Sequence, residues 1–179
     1  MHNASFIVLR AFFISHSAFL VVHCAWITVN AYLDALRMLA RRELSEVQIR
    51  QRLARRRHPA YAIDEAVARL LDERAIDDRR VAEAIARTQS SVKRRGKLRV
   101  RRELEQAGIS RDTARTVVDH VFESVNTEAQ LQASLDRRLR GRDLIADDKE
   151  FARLYRYLIG QGFEVDLVLR ALRARQQAT

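Results

Sequence analysis

Four apolar positions recur three times along this chain at one internal spacing, and that pattern constrains the fold more than any other feature. Ile49, Leu53, Ile63 and Val67 stand at offsets of 0, 4, 14 and 18; Val100, Leu104, Ala114 and Val118 repeat those offsets 51 residues on. Leu154, Leu158, Val168 and Leu172 repeat them again 54 residues later. A separation of four puts two side chains on one face of an α-helix, so each set reads as two helices joined by a short break. The break falls at Arg57-His58, Gly108-Ile109 and Gly162-Phe163. In the last two, glycine supplies the turn and an apolar residue plugs it. A further helix precedes each pair, carrying Ala35, Leu36 and Leu39, then Val81, Ala84 and Ile85, then Leu131, Leu135 and Leu139. A unit this small cannot bury its apolar face alone. The expected architecture is therefore all-α: three tandem three-helix, helix-turn-helix-like repeats packed on their neighbours as an elongated, curved body.

Helices are expected over 31–42, 45–56, 60–74, 78–91, 97–107, 111–125, 127–140, 148–160 and 164–175. Ser45-Glu46-Val47-Gln48 and Thr127-Glu128-Ala129-Gln130 have the spacing of capping boxes. Asp77, Ser110 and Asp147 suit N-caps, and Gly108, Gly160 and Gly162 suit helix ends. The division that follows is repeat one over 31–76, repeat two over 77–126, repeat three over 127–175 and a frayed tail over 176–179. Composition agrees: one Pro and five Gly leave little material for hairpins, and 7% aromatics leave the core to Leu, Ile, Val and Ala.

Residues 1–30 differ from the rest. Between Ala4 and Val29 the one strong charge is Arg10, and no acid occurs before Asp34. A transmembrane anchor, an export signal and a start assigned too early all fit this apolar stretch. The third fits best, because composition changes abruptly at Val29-Asn30 and His16 and His23 interrupt the apolar run.

The net charge of +10, from 33 Lys and Arg against 23 Asp and Glu, implies attraction to a polyanion. The densest cluster is Lys93, Arg94, Arg95, Lys97, Arg99, Arg101 and Arg102, seven cations in ten residues without an acid. Val100 and Leu104 turn inward, which leaves Arg99, Arg101 and Arg102 on the outer side of a helix whose cationic first turn suits phosphate oxygens. Arg50, Arg55 and Arg57, with Arg52 and Arg56, form a second basic stretch; Arg137, Arg138 and Arg140, with Arg142, form a third. Both lie near acids that can pair locally.

Catalytic chemistry finds no support in the sequence. Cys24 is the single cysteine, so no disulfide or thiolate cluster arises within the chain, and the five histidines are scattered. Asp77 and Asp78 read as a helix cap and a first-turn charge. Tyr155 and Tyr157 flank Leu154 and Leu158 and read as packing rather than base stacking. No nucleophile–base pair, phosphate loop or metal spacing is present, which points to a non-enzyme without cofactor or small-molecule substrate.

Four motifs, in order, resemble the RecX family of RecA regulators. Ala35-Leu36-Arg37-Met38-Leu39-Ala40-Arg41-Arg42-Glu43-Leu44-Ser45 is similar to its opening, and Ile76-Asp77-Asp78-Arg79-Arg80-Val81-Ala82 to its signature. Arg95-Gly96 with Val100, Glu103-Leu104 and Gly108-Ile109 resembles its second repeat, and Gly162-Phe163 with Val168 and Leu172 its third. Val81 stands where an aromatic is usual, and Arg57-His58-Pro59 replaces a Gly-aromatic turn. The resemblance covers about residues 31–175. It implies a cytoplasmic protein of recombination, DNA repair and the SOS response that binds the RecA filament on single- or double-stranded DNA and inhibits its ATPase and strand exchange. No membrane partner is implied unless residues 1–30 belong to the chain. A helix-turn-helix transcription regulator and a nonspecific DNA-coating protein are the competing expectations.

Overall fold

The computed structural model describes residues 28–176; the N-terminal segment through residue 27, with the competing readings of it, and residues 177–179 lie outside the described residues. Residues 28–39 are helical and are called α1, which takes in three residues ahead of the expected residue 31. It is followed by α2 (Glu46–Arg55), α3 (Ala60–Asp72), α4 (Asp78–Arg87), α5 (Lys97–Gln106), α6 (Arg111–Glu123), α7 (Thr127–Leu139), α8 (Asp148–Gln161) and α9 (Val165–Ala174). Among the described residues no strand forms, and an isolated parallel bridge joins Ile145 to Gln176. Gln176, assigned by the sequence reading to a frayed tail, is held by that bridge. The chain divides into two compact units, one ending at Asp77 and holding α1–α3, the other beginning at Asp78 and holding α4–α9.

Every position of the apolar repeat is buried. The three sets seed three separate cores: Ala35, Met38, Leu44, Ile49, Leu53, Val67 and Leu70 in the first; Val81, Ala82, Val100, Leu104, Ile109 and Val118 in the second; Leu131, Leu135, Leu139, Leu154, Leu158 and Leu172 in the third. Each fully buried Leu or Ile contributes about 1.5–3 kcal/mol of transfer free energy, so a dozen such residues outweigh the propensity differences between them. On α4 the inward face differs by a small rotation from the one expected. Ala82 and Ala86 are buried and Ala84 is exposed.

The shared break has one geometry throughout. At each, the residue after the helix adopts positive φ: Arg57 at 65°, Gly108 at 87° and Gly162 at 90°. Its N–H donates to a carbonyl three residues back, and the next N–H reaches five back, as in Arg57 to Ala54 and His58 to Leu53. Gly108 to Glu105 with Ile109 to Leu104, and Gly162 to Ile159 with Phe163 to Leu158, complete the set. This is the Schellman arrangement, in which the left-handed residue closes the orphan carbonyls and the following side chain plugs the turn. Ile109 and Phe163 are buried plugs; His58 instead bonds Asp34 Oδ2 at 3.1 Å. Burial works against the charge of Asp34, yet hydrogen bonds from His58, Arg56 and Arg37 hold its carboxyl below the usual range.

Three local features depart from the sequence reading. The expected helix 78–91 ends as an α-helix at Arg87, and Thr88–Val92 form a π-helical turn closed by Lys93 N–H to Thr88 O. Hydroxyls drive that change. Thr88 Oγ1 donates to Ala84 O, Ser90 and Ser91 Oγ donate to Arg87 O, and Gln130 Nε2 takes Ser90 O. The cap of α7 is Asn126, whose Oδ1 accepts from Ala129 N–H at 2.9 Å, so Thr127 becomes the first helical residue. Gly160 continues α8 rather than ending it. The caps expected at Ser45, Ser110 and Asp147 form, each oxygen accepting from the N–H three residues on.

Candidate nucleic-acid interface

The cationic cluster of the second repeat separates into two sets once its partners are in place. Arg95 Nη1 donates to Gln161 Oε1, Lys97 Nζ meets Asp119 at 2.8 Å, and Arg99 bonds Glu103 at 3.1 Å and Gly160 O at 2.9 Å. Lys97 holds the Asp119 carboxyl below its usual range, with Arg115 and Arg101 adding to the effect. Arg99 is thus not on the open face expected for it; it clamps the end of α8. The N-terminus of α5 is also taken. Gly96 N–H donates to Gln161 O at 2.9 Å and Leu98 N–H to Gly162 O at 3.1 Å, so protein carbonyls occupy the place assigned to phosphate oxygens. Lys93, Arg94, Arg101 and Arg102 remain exposed and, among the described residues, make no ion pair or side-chain hydrogen bond.

In the first repeat, Arg50 is committed to Glu46 and Asp64, and Arg56 to Asp34. Arg55 and Arg57 are exposed without such partners among the described residues. Arg55 shares a concavity of about 550 Å3 with Met38, Arg41, Arg42, Arg52 and Arg56. The sequence reading listed neither Arg41 nor Arg42 as contact residues. Their signal was their place in the turn that returns the chain from α1 to α2, which only the fold aims back at Arg52 and Arg55.

In the third repeat, Arg137, Arg138 and Arg140 come together with Arg142, Arg153, Leu154 and Tyr157 around a cavity of about 700 Å3. Arg138 lies over the Tyr157 ring, 3.9 Å from its centroid. Arg137 donates to Ala133 O and Ser134 Oγ, so its charge stays uncancelled, and Arg140 sits at φ 53° with no ion pair among the described residues. Arg142 grips Glu150 with both terminal nitrogens, at 3.1 and 2.5 Å, and Arg153 adds a contact at 3.0 Å. Those bonds, with Ala146 N–H, lower the Glu150 pKa to about 2. Arg153 lies outside the expected cluster because it arrives from α8, 16 residues after Arg137.

Among the described residues no group of three His, Cys, Asp or Glu side chains is placed to hold a metal, and no helix is long and apolar enough to cross a membrane. Residues 31–70 match the sequence profile of the first three-helix domain of RecX, and residues 77–118 that of the second. The regulatory protein RecX of Halorhodospira halophila is 36% identical over 80% of this chain and 86% of its own length. That of Chlorobium phaeobacteroides is 33% identical over 73% and 83%. The chain belongs to the RecX family. The fold agrees with two solved RecX structures. The one from Lactobacillus salivarius superposes with TM-score 0.69 at 18% identity over 83% of this chain and 96% of that one. A second crystal structure gives 0.75 at 19% identity over 88% and 77%.

Within the RecX frame, the two departures in sequence acquire a physical account. Val81 is 2% exposed and packs in the second core, so the smaller side chain is buried there without an aromatic. Arg57 takes the left-handed position that glycine holds in the other two repeats, and its side chain projects outward.

Proposed function

We propose that this RecX protein is a non-catalytic regulator that binds the RecA–DNA filament and inhibits its ATP hydrolysis and strand exchange. The observation that carries this reading is the set of cations left over after internal pairing. Each repeat keeps exposed guanidinium groups with no carboxylate of their own: Arg55 and Arg57, then Arg94, Arg101 and Arg102, then Arg138 and Arg140. Guanidinium forks suit phosphate oxygens in two-point contacts, which position a protein on a nucleic acid without reading its sequence. A filament regulator must bind wherever RecA has assembled, and sequence-independent contacts meet that need.

The test is co-sedimentation with RecA filaments on single-stranded DNA, beside footprinting on naked duplex. Co-sedimentation that weakens with salt supports the proposal. A discrete duplex footprint without filament binding would replace it with a sequence-specific DNA regulator.

A further inference from the structure

The cavity of the third repeat has features that a plain phosphate-binding face does not need. Its volume, about 700 Å3, falls within the range of small-molecule sites, about 300–1,000 Å3. Leu154 gives it a buried apolar floor, and Tyr157, half-buried beside it, carries the Arg138 guanidinium over its ring, 3.9 Å from the centroid. A guanidinium over a ring leaves its outer side open, and an unpaired base can stack on a guanidinium plane as on an aromatic ring. Around this platform stand five arginines and no lining carboxylate; Glu150, which pairs with Arg142 and Arg153, is itself buried.

Charge alone would favour any polyanion. An acidic peptide satisfies guanidinium groups but supplies no plane for the stacked pair, and a duplex keeps its base faces within its own stack. The combination of apolar floor, planar platform and cationic rim matches a single nucleotide. We propose that this cavity binds a nucleotide unit, a planar unpaired base with its attached phosphates, taken from a single strand or from a free nucleoside triphosphate. The proposal rests on the nucleic-acid part of the function above, and names what this cavity takes.

The test uses the full chain without RecA. Failure here then leaves filament binding standing, and failure to bind filaments leaves this site standing. Fluorescence anisotropy compares a labelled single-stranded oligonucleotide with a phosphate-matched hairpin duplex, with ATP, inorganic triphosphate and a glutamate-rich peptide as competitors. Arg138→Lys keeps the charge and loses the plane. It should lower single-strand affinity by about five- to 150-fold, the span of one base stack, with duplex affinity and salt slope unchanged. Tyr157→Leu should act likewise, and Tyr157→Phe, which keeps the ring, should bind as wild type. Arg138 is exposed, so its variant stays informative should Tyr157→Leu unfold. ATP outcompeting inorganic triphosphate assigns the site to free nucleotides. A single-strand preference that ATP does not touch assigns it to the strand. The proposal is overturned if inorganic triphosphate or the peptide displaces the strand at least as well as an ATP that does displace it, if either displaces it where ATP does not, or if Arg138→Lys leaves the single-strand to duplex ratio unchanged.

Discussion

Replacing Gly96 with alanine should destabilise the second unit by about 2–6 kcal/mol, although the backbone at this position accepts any residue. Gly96 has φ −73° and ψ 160°, ordinary extended values, so no conformational penalty attaches to a side chain there. The cost is one of space. A Cβ on Gly96 would lie 2.3 Å from the carbonyl carbon and oxygen of Gly162 and 2.5 Å from Phe163 N, where ordinary contact begins at 3.4 Å. Rigid backbone surrounds it, so the two segments must part by about 1 Å. That displacement breaks the hydrogen bonds from Gly96 to Gln161 and from Leu98 to Gly162, now 2.9 and 3.1 Å long. Each orphaned buried group costs about 1–3 kcal/mol, and two of them give the range stated. Gly160→Ala is the control. Nothing lies within 4 Å of its added Cβ and the residue is helical, so it should stabilise by about 0.5–1 kcal/mol. Urea denaturation followed by circular dichroism reads both. If Gly96→Ala matches wild type, or if both alanines shift stability in the same direction, the backbone junction between the second and third repeats is not what holds them together.

Three further outcomes follow from the geometry. Arg57→Gly relieves a side chain at φ 65° and should raise stability by up to about 1 kcal/mol, seen as a higher urea midpoint at constant slope. Arg99→Ala should lower stability by about 1 kcal/mol, because the guanidinium ties α5 to Gly160 O, whereas Arg101→Ala should be neutral to folding. Glu150 has its pKa lowered from 4.5 to about 2 by the Arg142 hydrogen bonds and by Ala146 N–H, so its stabilisation is full above pH 4.5 and lost as pH falls toward 2. Glu150→Gln should therefore lower the melting temperature at pH 7 and flatten the decline across that window, while matching wild type near pH 2.

The helix count, the cores and the shared turn were legible in the sequence because they depend on short-range spacing. Ile49 and Leu53 meet on one helix face through covalent geometry alone, and Gly108 followed by Ile109 announces a left-handed cap. What escaped the sequence depends on partners distant in the chain. Arg99 looks solvent-facing by helical phase, but the end of α8, some 60 residues on, receives it. The same segment supplies the carbonyls that fill the N-terminus of α5, which local reasoning left open for phosphate. Tyr157 sits at core spacing next to Leu158, yet a cation from α7 covers its ring. The π turn at Thr88–Val92 arises from hydroxyl competition for carbonyls, a contest that apolar periodicity does not register.

The central claim concerns RecA, and ATP hydrolysis by RecA on single-stranded DNA tests it most directly. The full chain should lower the hydrolysis rate as its concentration rises, with the effect weakening at higher salt. An Arg101→Ala, Arg102→Ala variant should fold as wild type and need about five- to thirtyfold more protein for the same inhibition, the equivalent of about 1–2 kcal/mol of lost phosphate contact. Leu104→Ala should instead lose about 2–5 kcal/mol of stability through a cavity in the second core. A hydrolysis rate that stays unchanged at saturating chain, at low salt, would contradict the account.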